Sequence, residues 1–351
     1  MNLSSGYESD RQSLANRSFH VEPFVPRRAL TGAHTQTIAS HLLPRPALRS
    51  APERLLFDIE DGTKVLCLCH WQAKWQDALT IVVVHGLEGS SDSQYVIGTT
   101  AQAFDAGMNV VRMNVRNCGG TESMCSTLYH SGLSSDIAVV VRGLMERKGI
   151  ERIALAGFSM GGNQVLKLAG EWGSGMYGGA PGALCAVAAV SPAMDLSISA
   201  DAIHLRSNRI YEWRFLFSLR NRLKMKVRAF PEIFRVNKWW WRSIRDFDDC
   251  VTAPHFGFRD AEDYYTQESA SRLLEHISVP TLILNSKDDP FIRVSGQSRE
   301  KINANSSITY YETEHGGHCA FLAKPDDYGG RWAERQIIRF FQATAHHGNR
   351  R

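Results

Sequence analysis

Gly157-Phe158-Ser159-Met160-Gly161 is the stretch of this chain best suited to chemistry. It follows an apolar run, Arg152-Ile153-Ala154-Leu155-Ala156, that reads as a buried strand, and it precedes a helix pattern from Gly162 to Gly170. A strand, a sharp Gly-x-Ser-x-Gly turn and a helix together push a serine hydroxyl into the open. The flanking glycines lack Cβ atoms, so the chain can turn tightly and the helix can pack close. The first amides of the helix then face the place where negative charge develops on a reacting carbonyl.

A serine hydroxyl is a weak nucleophile near neutral pH and needs a base within hydrogen-bond reach. Histidine supplies that base, and a carboxylate orients it and stabilises its charged form. Candidate acids follow an apolar run at Lys287-Asp288-Asp289-Pro290, and candidate bases follow the last such run at Glu314-His315-Gly316-Gly317-His318. The residue types alone do not choose Asp288 over Asp289, or His315 over His318. The two glycines before His318 suit a tight loop that delivers the ring to the site. Two backbone amides are also needed to hold an oxyanion. One is Met160, directly after the serine. The other is expected from His85-Gly86-Leu87-Glu88-Gly89-Ser90, with Leu87 N–H as donor and Glu88 bracing the loop.

These residues must be carried by a scaffold. Leu55 to Glu60 and Lys64 to Cys69 flank Asp61-Gly62, a hairpin signal. Leu79 to Val84 is β-branched without alternation, as in a strand buried on both faces. A helix pattern near Gln94–Ala106, a strand at Met108–Met113, a helix at Asp136–Arg147, then strands at Leu184–Val190, Thr281–Leu284 and Ile308–Tyr311 follow, with a closing helix over Arg331–Thr344. Strands alternating with helices predict an α/β fold with a mostly parallel central sheet flanked by helices. Ligands in such sheets sit outside the carboxyl ends of the strands, where every motif above falls.

The interval from 192 to 279 breaks this rhythm. Ile210, Trp213, Phe217, Leu223 and Val227 recur there at roughly helical spacing, which predicts an inserted helical cap over about 195–258. From Leu205 to Arg245 the chain carries twelve Lys and Arg against two Glu, a local balance of +10 within a chain of net charge +4. Trp213, Trp239, Trp240 and Trp241 lie in the same window. Such a segment suits an anionic membrane surface or an acidic ligand. The simpler reading is a cap helix whose basic face is solvated.

The 351 residues are 43% hydrophobic and 22% charged, as expected of a globular chain with a sizeable core, and no run of about 18 apolar residues is present. Residues 1–20 are polar, without the apolar stretch of a signal peptide, and are expected to form a disordered tail before a single domain over 21–345. Seven cysteines with no framework spacing point to free thiols and a reducing, cytoplasmic setting. Cys67 and Cys69 share one face of a strand and are expected to pack there. Cys319, beside His318, reads as a small buried neighbour. His315 and His318 have no third ligand spaced for a metal, and no cofactor and no nucleic-acid partner are expected.

Together the motifs resemble the abhydrolase-domain-containing esterase family, which includes the bacterial YheT-like and plant embryogenesis-associated hydrolases. The matching segments are Gly32 to Thr37, His85 to Ser90, Asn114-Val115-Arg116-Asn117-Cys118-Gly119-Gly120, Tyr129-His130-Ser131-Gly132, Gly157 to Asn163, Arg245-Asp246-Phe247-Asp248-Asp249, Asp289-Pro290-Phe291 and Gly316-Gly317-His318. They span the chain from about residue 30 to the last helix. Ala33 departs from the residue common in the family, outside the catalytic set. The resemblance implies an α/β-hydrolase fold, Ser159 as nucleophile, Asp289 as the acid and His318 as the base. It implies carboxylester hydrolysis of short-chain esters and monoacylglycerols, and a structural, cap-docking role for Arg245 to Asp249. Two other readings stand beside it. One is an acyltransferase, although His130 and Asp136 miss the His-x4-Asp spacing by one residue. The other is a ligand-binding member of the fold, which an intact set of catalytic residues argues against.

Overall fold

The computed structural model describes residues 19–345 except 46–47, 237–238 and 326–328; of the expected tail over 1–20, residues 1–18 lie outside the described residues, while Phe19 packs edge-on against Phe340. Eight strands form one sheet in the order β1-β2-β4-β3-β5-β6-β7-β8. β1 (Glu53–Glu60) and β2 (Thr63–His70) form the hairpin and pair antiparallel, as does β2 with β4 (Asn109–Met113). β3 (Thr80–Val84), β5 (Ile153–Phe158), β6 (Leu184–Val190), β7 (Thr281–Ser286) and β8 (Ile308–Thr313) run parallel to β4 and to one another.

The side-chain period of two sends alternate residues to opposite faces. Val82, Val84 and Leu155 enter one core with α3 (Ser134–Lys148) and α4 (Met160–Gly173). Ile81, Val83, Ala154 and Ala156 enter the other with α2 (Gln94–Asp105) and the last helix, where Ile337, Ile338 and Phe341 are buried. The continuous apolar runs therefore face two cores at once, which is why they do not alternate. Register then sets the site. Val84 pairs with Gly157, Phe158 with Val190, Val190 with Leu284, and Ser286 with Thr313. The carboxyl ends of β3, β5, β6, β7 and β8 thus share one rim.

Before the sheet, α1 (Ala33–Leu42) carries the Gly32 to Thr37 motif. Between β6 and β7 the chain forms α5 (Leu196–Ile203), α6 (Arg209–Ala229), α7 (Ile244–Phe247), a π turn (Asp248–Thr252), α8 (Ala253–Phe256) and α9 (Ala261–Glu268). This segment has an apolar cluster of its own, including Leu216, Leu219, Leu223, Trp241 and Phe247, which packs against Leu128.

Helix α6 turns differently from its apolar spacing. Its buried face is Glu212, Leu216, Leu219, Leu223 and Lys226, while Ile210, Trp213 and Phe217 are 82%, 71% and 63% exposed. Part of its basic set points inward. Arg222 pairs with Glu88 and Glu122, and the Lys226 ammonium donates to Asn117 Oδ1 and the Glu122 and Cys125 carbonyls. A solvated basic face describes only the rest of the helix. Trp241 is buried, Trp239 half-buried, and Trp240 exposed beneath the Arg220 guanidinium. Among the described residues no helix is long and apolar enough to cross a membrane.

Candidate active site

Ser159 stands between β5 and α4 with φ 55° and ψ −117°, a backbone conformation a serine adopts only when its surroundings enforce it. Those surroundings are visible. A Cβ on Gly157 would come within 2.2 Å of the Gly161 carbonyl oxygen, and one on Gly161 within 2.5 Å of the carbonyls of Val84 and His85. Both positions must be glycine for the turn to close. The Ser159 N–H donates to Val190 O at 2.9 Å, and its carbonyl accepts from Asn163 and Ala193. Ser159 is left half-buried at the rim of the sheet.

His318 Nε2 lies 3.0 Å from Ser159 Oγ, and His318 Nδ1 lies 2.9 Å from Asp289 Oδ2. Asp289 is held by two backbone donors, the Phe291 and Ile292 amides, which reach its other oxygen at 2.9 and 3.0 Å. That oxygen is occupied, so the free one faces the imidazole. Burial opposes a charge on the His318 ring, but the Asp289 carboxylate, together with the neighbouring Cys319, outweighs it and holds the imidazole well above its usual range. Asp288, left open beside Asp289 by the residue types, turns the other way. Its Oδ1 accepts the Gly317 N–H at 2.9 Å, bracing the loop that carries His318. His315 is exposed, with Nδ1 3.6 Å from Asp288.

The His318 loop is clamped by α1. Thr37 Oγ1 accepts the backbone N–H of His318 at 2.9 Å and donates to Ala33 O at 2.8 Å. Gln36 exchanges hydrogen bonds with the Leu322 backbone. Gly317 has φ 59°, and a Cβ there would meet Ala33 O at 2.6 Å. The residue types of Gly32 to Thr37 do not by themselves point to a role at the site. Only the fold reveals that it seats the histidine, because the contact spans 281 residues.

The loop after β3 lies against Ser159; a Cβ on Gly86 would be 3.0 Å from the Ser159 Cβ. His85 is buried, donates through Nδ1 to Gly86 O and accepts the Val115 N–H at Nε2. Burial pushes it down to about 4, so it is neutral and structural. Leu87 and Met160 both line the cavity at Ser159. Glu88 braces the loop through the Tyr129 hydroxyl and through Arg222 and Ser218 of α6. Cys319 is buried, with its Sγ 3.8 Å from His318 Nε2.

Two spaces meet at Ser159, Leu87 and His318. An inner cavity is walled largely by Leu196, Ile203, Phe215, Leu219, Phe247 and Ile292. A wider groove runs between α1, the loop after β3 and α6, past Ile38, Leu42, Tyr211 and Arg214. His130 and Asp136 do not form a pair. His130 Nδ1 accepts from the Gly132 amide, while Asp136 takes two hydrogen bonds from Arg116.

A sheet of this order, with a serine on the turn after β5 and a histidine after β8, defines an α/β hydrolase. The family pattern described as the alpha/beta hydrolase fold matches residues 80–325, and the chain belongs to that family. It is 32% identical to the YheT protein of Escherichia coli K12, over 92% of this chain and 94% of that one. It is 27% identical to a monoacylglycerol lipase of Saccharomyces cerevisiae, over 75% of this chain and 58% of the relative. Among solved structures, the Pyrococcus furiosus esterase Pf2001 aligns with a TM-score of 0.55 at 13% identity, covering 93% of this chain and 99% of that one, a likeness of fold.

Proposed function

We propose that this chain is a serine carboxylic-ester hydrolase of the short-chain esterase and monoacylglycerol lipase type. The observation that carries the reading is the hydrogen-bonded line from Ser159 through His318 to Asp289 at 3.0 and 2.9 Å. Ser159 Oγ attacks the ester carbonyl carbon while His318 Nε2 takes its proton. The Leu87 and Met160 amides hold the oxyanion, and Asp289 stabilises the imidazolium. Collapse breaks the bond to the alcohol, which leaves with the proton from His318. Water, deprotonated by His318, then attacks the acyl-enzyme and releases the acid and Ser159.

The segment over about 195–258 acts as a cap, and its α6 walls both the cavity and the groove. An apolar cavity beside the nucleophile suits an acyl chain, and the yeast relative's name supports an acylglycerol. The reading includes a cytoplasmic setting with peripheral contact between the cap and an anionic membrane. His130 and Asp136 have separate partners, so they do not form an acyltransferase pair.

The test is Ser159→Ala assayed on p-nitrophenyl butyrate. Hydrolysis should fall by about 10⁴-fold or more with the circular dichroism spectrum unchanged. Wild-type turnover by that variant would end the reading.

A further inference from the structure

Two motifs take no part in the reaction above, Tyr129 to Gly132 and Arg245 to Asp249. They meet in the inner cavity, whose lining includes His130 from the first and Asp248 from the second.

His130 is 8% exposed. Its Nδ1 accepts the Gly132 N–H at 3.1 Å, which leaves the ring proton on Nε2. That N–H finds no acceptor among the described residues. Burial pushes the imidazole down to about 3, so the ring is a neutral donor. Rings of Phe256, Phe258 and Tyr264 hold it by their edges.

Asp248 comes from the π turn. Thr252 donates to its Oδ1 and the Tyr265 hydroxyl to its Oδ2, both at 2.6 Å. Each carboxylate oxygen keeps a second lone pair. Among the described residues no Lys, Arg or His lies within ion-pair distance of it. Burial pushes the carboxyl up to about 6. Tyr264 and Tyr265, whose rings are 5.0 Å apart, join the two residues along one wall. A carboxylate in an apolar wall without a counter-ion costs stability. A packing role alone gives no reason to place it there.

We propose that His130 and Asp248 form a hydroxyl-recognition subsite, and that the preferred ester carries a hydroxyl on its acyl chain. His130 Nε2 donates to the hydroxyl oxygen, and an Asp248 oxygen accepts its proton in a hydrogen bond. The acyl side is assigned because the acyl group must stay bound through the covalent intermediate while the alcohol leaves. The wider groove gives the alcohol its exit, and the inner cavity retains the acyl chain. This inference rests on the ester-hydrolase reading.

The test compares p-nitrophenyl hexanoate with its β-hydroxy and ω-hydroxy analogues, and ethyl hexanoate with glyceryl monohexanoate. In the wild type at least one hydroxyhexanoate should exceed hexanoate in kcat/KM by about tenfold, the scale of one or two net hydrogen bonds. That ratio should fall to near one in His130→Phe and in Asp248→Asn. The wild-type ratio needs no variant to fold, so it stands by itself. Hexanoate hydrolysed as fast as both analogues, or a ratio that survives both substitutions, would overturn the subsite. A gain confined to the glyceryl ester would overturn the acyl assignment. No hydrolysis of any of these esters would instead sink the ester-hydrolase reading, and the subsite with it.

Discussion

Thr37 Oγ1 accepts the backbone N–H of His318 at 2.9 Å, tying the first helix to the loop that carries the candidate base. Thr37→Val keeps the shape and removes the acceptor, leaving a largely buried N–H unpaired at a cost of about 1–3 kcal/mol. We expect kcat to fall roughly tenfold with KM little changed, since a loosened ring slows proton transfer without touching substrate binding. Thr37→Ser should restore most of the rate. Equal KM and kcat effects, or no rescue by serine, would contradict a positioning role.

Neighbouring aspartates divide two tasks. Asp289→Asn should cut kcat by about 10⁴-fold, because the amide cannot stabilise the imidazolium or hold the tautomer. Asp288→Asn weakens a brace on Gly317 and should cost far less, about tenfold or below, the scale of one hydrogen bond. Steady-state kinetics on one small ester decides between them, and the reverse order of effects would overturn the assignment.

The pH profile follows from the same pair. His318 must be neutral to take the serine proton. Asp289 holds its pKa well above the usual value, so kcat/KM should be depressed at pH 6.5 and rise as the ring deprotonates at higher pH. In the residual activity of Asp289→Asn the carboxylate's raising influence is gone, and the acid limb should move to lower pH. An acid limb in the wild type at or below the ordinary histidine range of about 6.5 would contradict this.

Ile210, Trp213 and Phe217 stand exposed along α6, and Ile38 and Leu42, 51% and 78% exposed, stand on α1 beside the groove that Tyr211 and Arg214 of α6 line. A basic helix with an apolar stripe fits an anionic lipid surface, each nearby Lys or Arg adding about 1 kcal/mol. Phosphatidylserine vesicles should bind the wild type at low salt and release it as salt rises. Trp213→Ala combined with Phe217→Ala should weaken binding while activity on a soluble ester changes less. Absence of sedimentation with vesicles at low salt would leave the cap as a lid only.

The sequence predicts much of this arrangement, and where it falls short the reasons are physical. Buried parallel strands write themselves as unbroken apolar runs, so β3, β5 and β6 were legible to within two residues at either end. The serine turn was legible because steric exclusion demands glycine at 157 and 161. Asp288 and Asp289 were not separable by residue type, since their directions depend on which oxygen the Phe291 and Ile292 amides capture. The role of α1 was hidden because its partners lie some 280 residues away. The face of α6 was misjudged because Arg222 and Lys226 find buried acceptors, which turns Trp213 and Phe217 outward.

The central claim is that Ser159 becomes covalently acylated. A fluorophosphonate reports this directly, since an activated serine displaces fluoride and keeps the phosphonyl group. Peptide mass mapping of the labelled protein should place one adduct on the segment containing Ser159, with none in Ser159→Ala. An adduct on Cys319 or on another serine, with Ser159→Ala still labelled, would contradict the account.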